Sequence, residues 1–370
     1  MPGLIDCHVH FRDPGLTYKE DFETGTKCAV ASGVTVVGDM PNNIPRIDSV
    51  ETYRYKIGQI RNKSYCDYFL YVDMNASNEL TKVVKLDVPP RAVKVYLPME
   101  RHYSLISRGD ILRGLKYVFH AEHPRYIKKG EFSSIDELSK LRPPLAELMG
   151  IRYVVELAKK GLDVHITHVT TKAGLLEIIK ARKEGLNITC DVTPHHLVFY
   201  EGKIDKSSPL FMVLPPIRKK EDRDFLIQAI REGHINAICS DHAPHAVDEK
   251  NNFHSGAYGI QSLQYLLPLV FSLCKKVRID FRKILVMLSK NPAQIFGIQK
   301  RGWIKTGNYA DIVVFDPKRK WVIDPDQCLS KAKISPYDGM IVTGKVIATF
   351  IRGQLIYEHG VFLKRIGKHI

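Results

Sequence analysis

The sequence has 370 residues, of which 44% are hydrophobic and 26% charged, and this excludes a mostly disordered, collagen-like or disulfide-stapled chain. No apolar run approaches the roughly 18 residues that a membrane-spanning helix needs. The net charge of +15 could attract nucleic acid, anionic lipid or a small anionic substrate, or could simply form a solvated basic surface. Basic residues are spread along the chain and are not interleaved with aromatic ones, so we expect no nucleic-acid partner, and the lack of an apolar span predicts no membrane.

The cysteines indicate the redox environment. There are seven, an odd number, and no Cys-x-x-Cys pair occurs. We therefore expect buried free thiols in a reducing compartment. The first residues also lack the basic and then apolar segments of a secretory signal. Together these features predict a cytoplasmic protein.

Short β-rich runs alternate with amphipathic segments through the first 297 residues. The predicted strands are Leu4–Val9, Val34–Met40, Tyr68–Asp73, Ala92–Tyr96, Tyr117–His120, Val164–Val169, Ile188–Val192 and Ala237–Ser240. The predicted helices are Phe22–Ala31, Val50–Asn62, Ile151–Lys160, Ala173–Glu184 and Asp222–Glu232. Eight strands that alternate with helices predict a (β/α)8 TIM-type barrel over residues 1–297. The segment Met99–Leu115 yields no clear element.

The sequence pattern changes after Gly297. A turn-rich stretch is followed by short β runs, at Ile312–Phe315, Trp321–Ile323, Met340–Val342, Val346–Ile351 and Gln354–Tyr357. Glycine turns at Gly344 and Gly353 would join the later runs into antiparallel hairpins. We expect residues 298–370 to form a small β unit beside the barrel.

Two histidines lie close together near the start of the chain. Side chains alternate along a strand, so His8 and His10 point to the same face. Two imidazoles at a strand end form half of a metal site that suits zinc. The alternative is a pair of buried, hydrogen-bonded histidines, because His-x-His alone is a weak pattern.

Further ligand types end other predicted strands. His120 ends the fifth strand, His168 the sixth and Asp241 the eighth. The C-terminal ends of all strands of a (β/α)8 barrel meet at one face, where active sites lie. We therefore expect these three residues to converge with His8 and His10.

Lys94 lies in the predicted fourth strand and would point into the barrel. Its ammonium could reach the rim and stay solvated. A buried lysine, however, has a lowered pKa and can be a neutral amine that adds carbon dioxide. The resulting carbamate offers two anionic oxygens that could bridge two metal ions.

Several motifs together resemble a known family. They are Pro2–Gly15 with its His-Phe-Arg-Asp-Pro-Gly, Met40–Asn43, Val93–Tyr96, Arg142-Pro143 with Ala146-Glu147, Thr193–Leu197, Ser240–His245 and Gly307–Asp316. They resemble the amidohydrolase superfamily of metal-dependent hydrolases and, within it, the dihydroorotase family. The resemblance covers essentially the whole chain. It implies a cyclic amidase that interconverts N-carbamoyl-L-aspartate and (S)-dihydroorotate in pyrimidine biosynthesis.

The resemblance also implies roles for individual residues. It implies two zinc ions per subunit, bridged by carboxylated Lys94. The more buried ion would be bound by His8, His10 and Asp241, and the second by His120 and His168. Asp241 would also transfer the catalytic proton. The substrate carboxylate would be held by Arg12, Asn42 and His245, with His10 also at the substrate; a guanidinium suits a carboxylate because it donates two parallel hydrogen bonds.

The chain departs from the family pattern in places. Many relatives have an asparagine where this chain has Leu214, which cannot hydrogen-bond a substrate. Family chains often begin with strands of the small domain, whereas this one begins on the metal motif, so we expect its β domain to be reduced and mainly C-terminal. Four further histidines have no assigned ligand role and are expected to support ligands or the fold, namely His165, His195, His196 and His242.

Two alternatives stay open at this point. A hydantoinase or allantoinase would share the ligands and differ in the carboxylate pocket, although Arg12 and Asn42 favour dihydroorotate. A non-catalytic scaffold homologue would typically lose ligands, and here every candidate ligand is present. A homo-oligomer, or association with other pyrimidine-pathway enzymes, is compatible with the sequence.

Overall fold

The computed structural model describes all 370 residues, and eight parallel strands in chain order form its main sheet. They are β1 (Leu4–Val9), β2 (Val34–Asp39), β3 (Asp67–Asp73), β4 (Ala92–Tyr96), β5 (Lys116–His120), β6 (Asp163–Ile166), β7 (Ile188–Val192) and β8 (Ala237–Ile238). The sheet closes where Val9 bridges His242 in parallel and the His10 amide donates to the His242 carbonyl at 2.8 Å. The predicted (β/α)8 barrel is confirmed. Because β8 has only two residues, the thin junction between β1 and the segment after β8 rests on few backbone contacts.

Twelve α-helices accompany the strands. They are α1 (Phe22–Ala31), α2 (Val50–Ile60), α3 (Ser77–Val83), α4 (Glu100–Ser107), α5 (Ile135–Leu141), α6 (Pro144–Lys159), α7 (Lys172–Lys183), α8 (Pro194–Val198), α9 (Lys220–Glu232), α10 (Leu266–Val277), α11 (Phe281–Leu288) and α12 (Lys290–Ile295). Local sequence sets several ends: the Asp21 and Thr171 side chains cap α1 and α7, and left-handed Gly233 ends α9. The unassigned segment Met99–Leu115 contains α4.

Alternation along the strands decides what enters the barrel. Ala92 and Val118 pack in an inner apolar cluster together with Tyr71. Their neighbours in the strand, such as Val93, pack instead in the outer core beneath the helices. Because the side-chain period is two residues, Lys94 and His120 follow on the inner face, at the C-terminal ends of β4 and β5.

A second sheet is antiparallel and has the order β12-β11-β10-β9. Its strands are β9 (Ile312–Val322), β10 (Ile341–Ile351), β11 (Gln354–Glu358) and β12 (Val361–Phe362). This small sheet agrees with the expected C-terminal β unit, while the boundary at residue 297 stays a prediction. Gly353 does turn the chain between β10 and β11.

The prediction of a hairpin turn at Gly344 was wrong. Gly344 lies inside β10, where the pairing with β9 shifts register between Thr343 and Lys345. Its φ of 96° is in the left-handed region, and a Cβ would lie 2.3 Å from the Phe315 ring. The glycine therefore permits a bulge in a continuous strand, and the two predicted runs on each side are one strand.

Two further properties concern the whole molecule. All seven cysteines are buried and unpaired, as their number and spacing predict. The helices include none with the length and apolar character that a bilayer crossing requires.

Candidate functional site

A cavity of about 330 Å³ opens at the C-terminal ends of the barrel strands. All the residues predicted to bind metal or substrate line it: His8, His10, Arg12, Asn42, Lys94, His120, His168, Asp241 and His245. They come from β1, β4, β5 and the segments that follow β1, β2, β6 and β8. The structure thus brings together side chains that are separated by up to 237 positions in the sequence.

Three ligand atoms form the tightest cluster in the cavity. The Nε2 atoms of His8 and His10 lie 3.2 Å apart, and Asp241 Oδ1 lies 3.3 Å from the first and 3.2 Å from the second. The other ring nitrogens are occupied elsewhere: His10 Nδ1 donates to Asn42 Oδ1 at 2.7 Å, and His8 Nδ1 lies 2.6 Å from the Thr167 hydroxyl. The Nε2 lone pairs therefore face one point together with a carboxylate oxygen, a donor set that fits zinc.

Two more histidines face each other across the cavity floor. His120 Nδ1 lies 3.2 Å from His168 Nε2. The His120 Nε2 atom points the other way and lies 2.6 Å from Glu122 Oε2. Because a carboxylate accepts, His120 carries its proton on Nε2 and leaves Nδ1 free for a cation.

Lys94 has no partner for its amine. Its Nζ atom is buried and makes no hydrogen bond, which is a costly arrangement for an ammonium. Burial lowers the pKa of Lys94 to about 8, although the nearby Asp241 carboxylate opposes the shift. A neutral amine is therefore accessible at this position.

Burial dominates the electrostatics of the other candidate ligands. It lowers the pKa of His8, His10 and His168 well below the usual value, and neighbouring cationic groups act in the same direction. Burial also raises the pKa of Asp241 to about 7. The histidines are neutral and have lone pairs available, which is the state that metal binding requires.

Three residues of the site have left-handed backbones. Arg12, His168 and Asp241 have φ values of 61°, 42° and 46°. Such a conformation costs a residue with a side chain roughly 1–2 kcal/mol. The surroundings hold it in place, for example through a 2.7 Å bond from the His168 amide to Asp191 Oδ1. Backbone strain of this kind concentrates where a side chain must be aimed for function.

Arg12 is a buried cation without a carboxylate partner. Its exposed fraction is 7%, its Nε atom has no hydrogen bond, and it forms no salt bridge. Its Nη2 atom lies 3.3 Å from His245 Nε2. Burying a guanidinium without a carboxylate partner carries a large desolvation cost, so the pocket favours the binding of an anion.

The four histidines that the sequence assigned to supporting roles lie outside the cavity lining, namely His165, His195, His196 and His242. Three of them hold neighbouring segments: His165 contacts Asp191 and Thr189, His196 contacts Thr193 and the Pro215 carbonyl, and His242 contacts Glu20 and the Ser262 amide. His195 is fully buried and neither of its ring nitrogens has a hydrogen-bond partner.

Sequence reasoning missed the residues behind the ligands. Arg142 donates to Glu122 Oε2 at 2.6 Å and to the Tyr96 hydroxyl at 3.1 Å, so it locks the carboxylate that orients His120. The His-x-Glu spacing at the end of β5 could have indicated Glu122, because both side chains alternate to the same face. Arg142 comes from the end of α5, and its partner choice has no local signal.

Leu214, which stands where many relatives have an asparagine, lies at the cavity wall. Leu214 lines the cavity and offers only apolar surface there. Tyr258, Arg46 and Tyr96 also line it and were not predicted. The Arg46 guanidinium pairs with Asp73 at 2.7 Å. Polar groups other than the lost amide are thus available around the substrate space.

The chain matches known proteins over most of its length. Residues 1–87 and 116–356 match the model of the amidohydrolase family. The chain is 35% identical to a dihydroorotase from Aquifex aeolicus, over 96% of this chain and 87% of that protein. It is 38% identical to a dihydroorotase from Pyrococcus furiosus, over 97% and 81%. Its fold is similar to that of the L-hydantoinase from Arthrobacter aurescens, with a TM-score of 0.89, 24% identity, and coverage of 100% of this chain and 88% of that chain.

Proposed function

The chain belongs to the amidohydrolase family, and we propose that it is a dihydroorotase, which reversibly closes N-carbamoyl-L-aspartate to (S)-dihydroorotate with loss of water in pyrimidine biosynthesis. One observation carries the assignment. The buried, unpaired Arg12 lies beside the cluster of His8, His10 and Asp241, so an anion-binding group and a metal-type donor set share one cavity. A cyclic amide that bears a carboxylate uses both.

The donor sets support a pair of zinc ions. His8, His10 and Asp241 would hold the first, and His120 and His168 the second. Zinc ions in such a site lower the pKa of a water molecule and polarise a carbonyl group. The lone pairs of three of these imidazoles, those of His8, His10 and His120, are free because Thr167, Asn42 and Glu122 engage their other ring nitrogens.

Lys94 would supply the bridging ligand after carboxylation. The neutral amine attacks carbon dioxide, a C–N bond forms, and one proton leaves to give an anionic carbamate. The lowered pKa and the missing hydrogen-bond partner of Nζ support this step, since the amine is both neutral and unoccupied. The carbamate would also neutralise part of the positive charge of the site.

Asp241 has the position of a proton carrier. Its carboxylate lies at the floor of the cavity, and burial raises its pKa to about 7, so both protonation states are accessible near neutral pH. In the hydrolytic direction Asp241 takes a proton from the attacking water and delivers it to the ring nitrogen as the amide bond breaks. In the synthetic direction the same proton moves backwards.

Arg12, His245 and Asn42 would orient the substrate by its ring carboxylate. Arg12 can donate two parallel hydrogen bonds to it, and His245 lies beside the guanidinium. Asn42 Oδ1 is bound to His10, so its amide group is the part that could face the substrate. Leu214 would contact the apolar ring edge.

The two alternatives are weaker. The L-hydantoinase and dihydropyrimidinase structures are 24% identical to this chain and show the common fold alone, whereas dihydroorotases from Pyrococcus furiosus and Lactobacillus gasseri are 38% and 31% identical. A scaffold without activity does not need a set of ligands with free lone pairs and a buried unpaired arginine. Cytoplasmic location and association with a second copy or with pathway enzymes stay predictions.

Parallel assays test the function. We expect turnover of dihydroorotate and little or none of hydantoin and allantoin, which lack the ring carboxylate. Arg12→Gln should raise KM for dihydroorotate by about 10²-fold, since each lost charge-assisted hydrogen bond costs about 1.5–3 kcal/mol. Lys116→Gln, far from the cavity, serves as the control. Equal rates for all three substrates, or an Arg12→Gln enzyme with unchanged KM, would contradict the proposal.

A further inference from the structure

Both ring nitrogens of His245 have neighbours that restrict where its proton can be. Nδ1 lies 3.2 Å from Lys19 Nζ, and Nε2 lies 3.1 Å from the Tyr258 carbonyl oxygen. An ammonium only donates and a carbonyl only accepts. His245 therefore accepts at Nδ1 and carries its proton on Nε2. Both contacts assign the same tautomer.

Lys19 is held in place to make this contact. Its Nζ atom forms a 2.8 Å salt bridge to Glu249 Oε1, which also accepts from the Tyr18 hydroxyl at 3.0 Å. The Lys19 side chain is only 12% exposed. Glu249 Oε2 lies 3.4 Å from His245 Nδ1, so it is the acceptor that Nδ1 would use if Lys19 were missing. Loss of Lys19 thus favours the opposite tautomer.

The tautomer decides what His245 offers to a ligand. Nε2 faces Arg12 Nη2 at 3.3 Å, and both atoms carry hydrogens, so they cannot bond to each other. The Arg12 Nε–H is also without a partner. The Nε2–H of His245 donates to the Tyr258 carbonyl and lies beside the Arg12 Nη2 and Nε donors, so an anionic oxygen placed among them would accept from Arg12 and share the Nε2–H with that carbonyl. With the opposite tautomer, the Nε2 lone pair would instead face and repel that oxygen.

We propose that Lys19 is a positioning residue that holds His245 in its Nε2–H tautomer, so that His245 and Arg12 donate jointly to the substrate carboxylate. The proposal deepens the proposed function and rests on it. Lys19 acts through His245 and does not line the cavity, so its effect should fall on carboxylate affinity and not on the chemical step.

The test uses the zinc-loaded full chain and its Lys19→Met and Lys19→Arg variants. Nitrogen-15 NMR of histidine-labelled protein reports the tautomer of His245, and its signal is assigned by its loss in His245→Asn. Calorimetry with orotate, which has the ring carboxylate and is not hydrolysed, reports anion affinity. Lys116→Met is the matched control, because Lys116 is 15% exposed and forms a salt bridge to Asp163 far from the cavity.

We expect an Nε2–H signal in the wild type, a shift towards Nδ1–H in Lys19→Met, and rescue by Lys19→Arg. Orotate affinity and KM should weaken about 10- to 100-fold in Lys19→Met, with kcat within about 2-fold. Glu249→Gln, which keeps the Lys19 donor, should retain the Nε2–H tautomer and supplies a second readout.

Three results are decisive. An unchanged tautomer and affinity in Lys19→Met, with an active wild type, would overturn the role of Lys19. The same would follow if the wild type had its proton on Nδ1. A wild type that neither turns over dihydroorotate nor binds orotate would instead refute the proposed function.

Discussion

The Glu122→Gln substitution tests whether the Glu122 carboxylate holds the candidate ligand His120 in position. The substitution keeps the shape of the side chain and removes the charge that lies 2.6 Å from His120 Nε2 and 2.6 Å from Arg142 Nη2. The neutral amide oxygen of the glutamine accepts from His120 Nε2 more weakly than the carboxylate does, so His120 Nδ1 is held less firmly towards His168 Nε2. Arg142 keeps the Tyr96 hydroxyl and the glutamine amide oxygen as possible acceptors but loses its buried carboxylate partner.

Two effects of different size follow from this geometry. Loss of a carboxylate that orients a histidine ligand typically lowers metal affinity by about 10- to 100-fold, so the zinc ion proposed to bind at His120 and His168 should bind more weakly. Breaking a buried ion pair costs about 3–5 kcal/mol, and the lower end applies because the Arg142 side chain is 12% exposed. With an unfolding entropy of roughly 2.1 cal/mol/K per residue over 370 residues, 3 kcal/mol lowers Tm by about 5 °C or less.

The assay combines zinc titration against a competing chelator with thermal unfolding. Glu147→Gln is the control, since Glu147 is also a buried carboxylate but binds Thr170 and Thr171 and contacts no candidate ligand. Both variants should lose Tm, and only Glu122→Gln should release one zinc ion selectively. Two zinc ions held with wild-type affinity in Glu122→Gln would refute the reasoning.

Two other predictions concern a proton carrier and a buried amine. Asp241→Asn cannot accept a proton, so kcat for dihydroorotate should fall at least about 10³-fold; near wild-type turnover by the zinc-loaded variant would exclude the proposed proton transfer. Lys250 is buried with only the Met212 and Ala257 carbonyls at 3.0 Å, and burial lowers its pKa to about 7. The unfolded chain, with a lysine pKa near 10.4, binds more protons between these values, so wild type should gain stability over Lys250→Met as pH rises from about 7 to about 10, by up to roughly 1.4 kcal/mol per unit. Urea unfolding at three pH values checks this, and a constant difference would contradict it.

The elements that the sequence predicted well are those with strong local signals. The ends of β1, β4 and β7 and of α1 agree with the prediction to the residue, because alternation or a cap marks them. The same alternation placed Lys94 on the inner face and the ligands at one rim. The barrel topology then brings these residues together, because it places the C-terminal ends of all strands at one face regardless of their separation in the chain.

The features that the sequence did not predict depend on contacts between distant residues, which no local sequence pattern contains. The bulge at Gly344 follows from the approach of the Phe315 ring, 29 positions away. Lys19 and His245 are separated by 226 positions, and the sequence around neither residue indicates that the two are in contact. The α4 helix has no side-chain cap at its start, which explains why its segment gave no clear signal.

The thin junction between β1 and the end of the barrel has a consequence for folding. His8 and His10 lie on one side of that junction and Asp241 on the other, so a cation bound by all three joins the first strand to the segment behind the last one. The barrel would then be held shut by coordination bonds as well as by backbone hydrogen bonds. In protein stripped of ions, amide exchange should be fastest along this line, and restoring the cation should slow it there first.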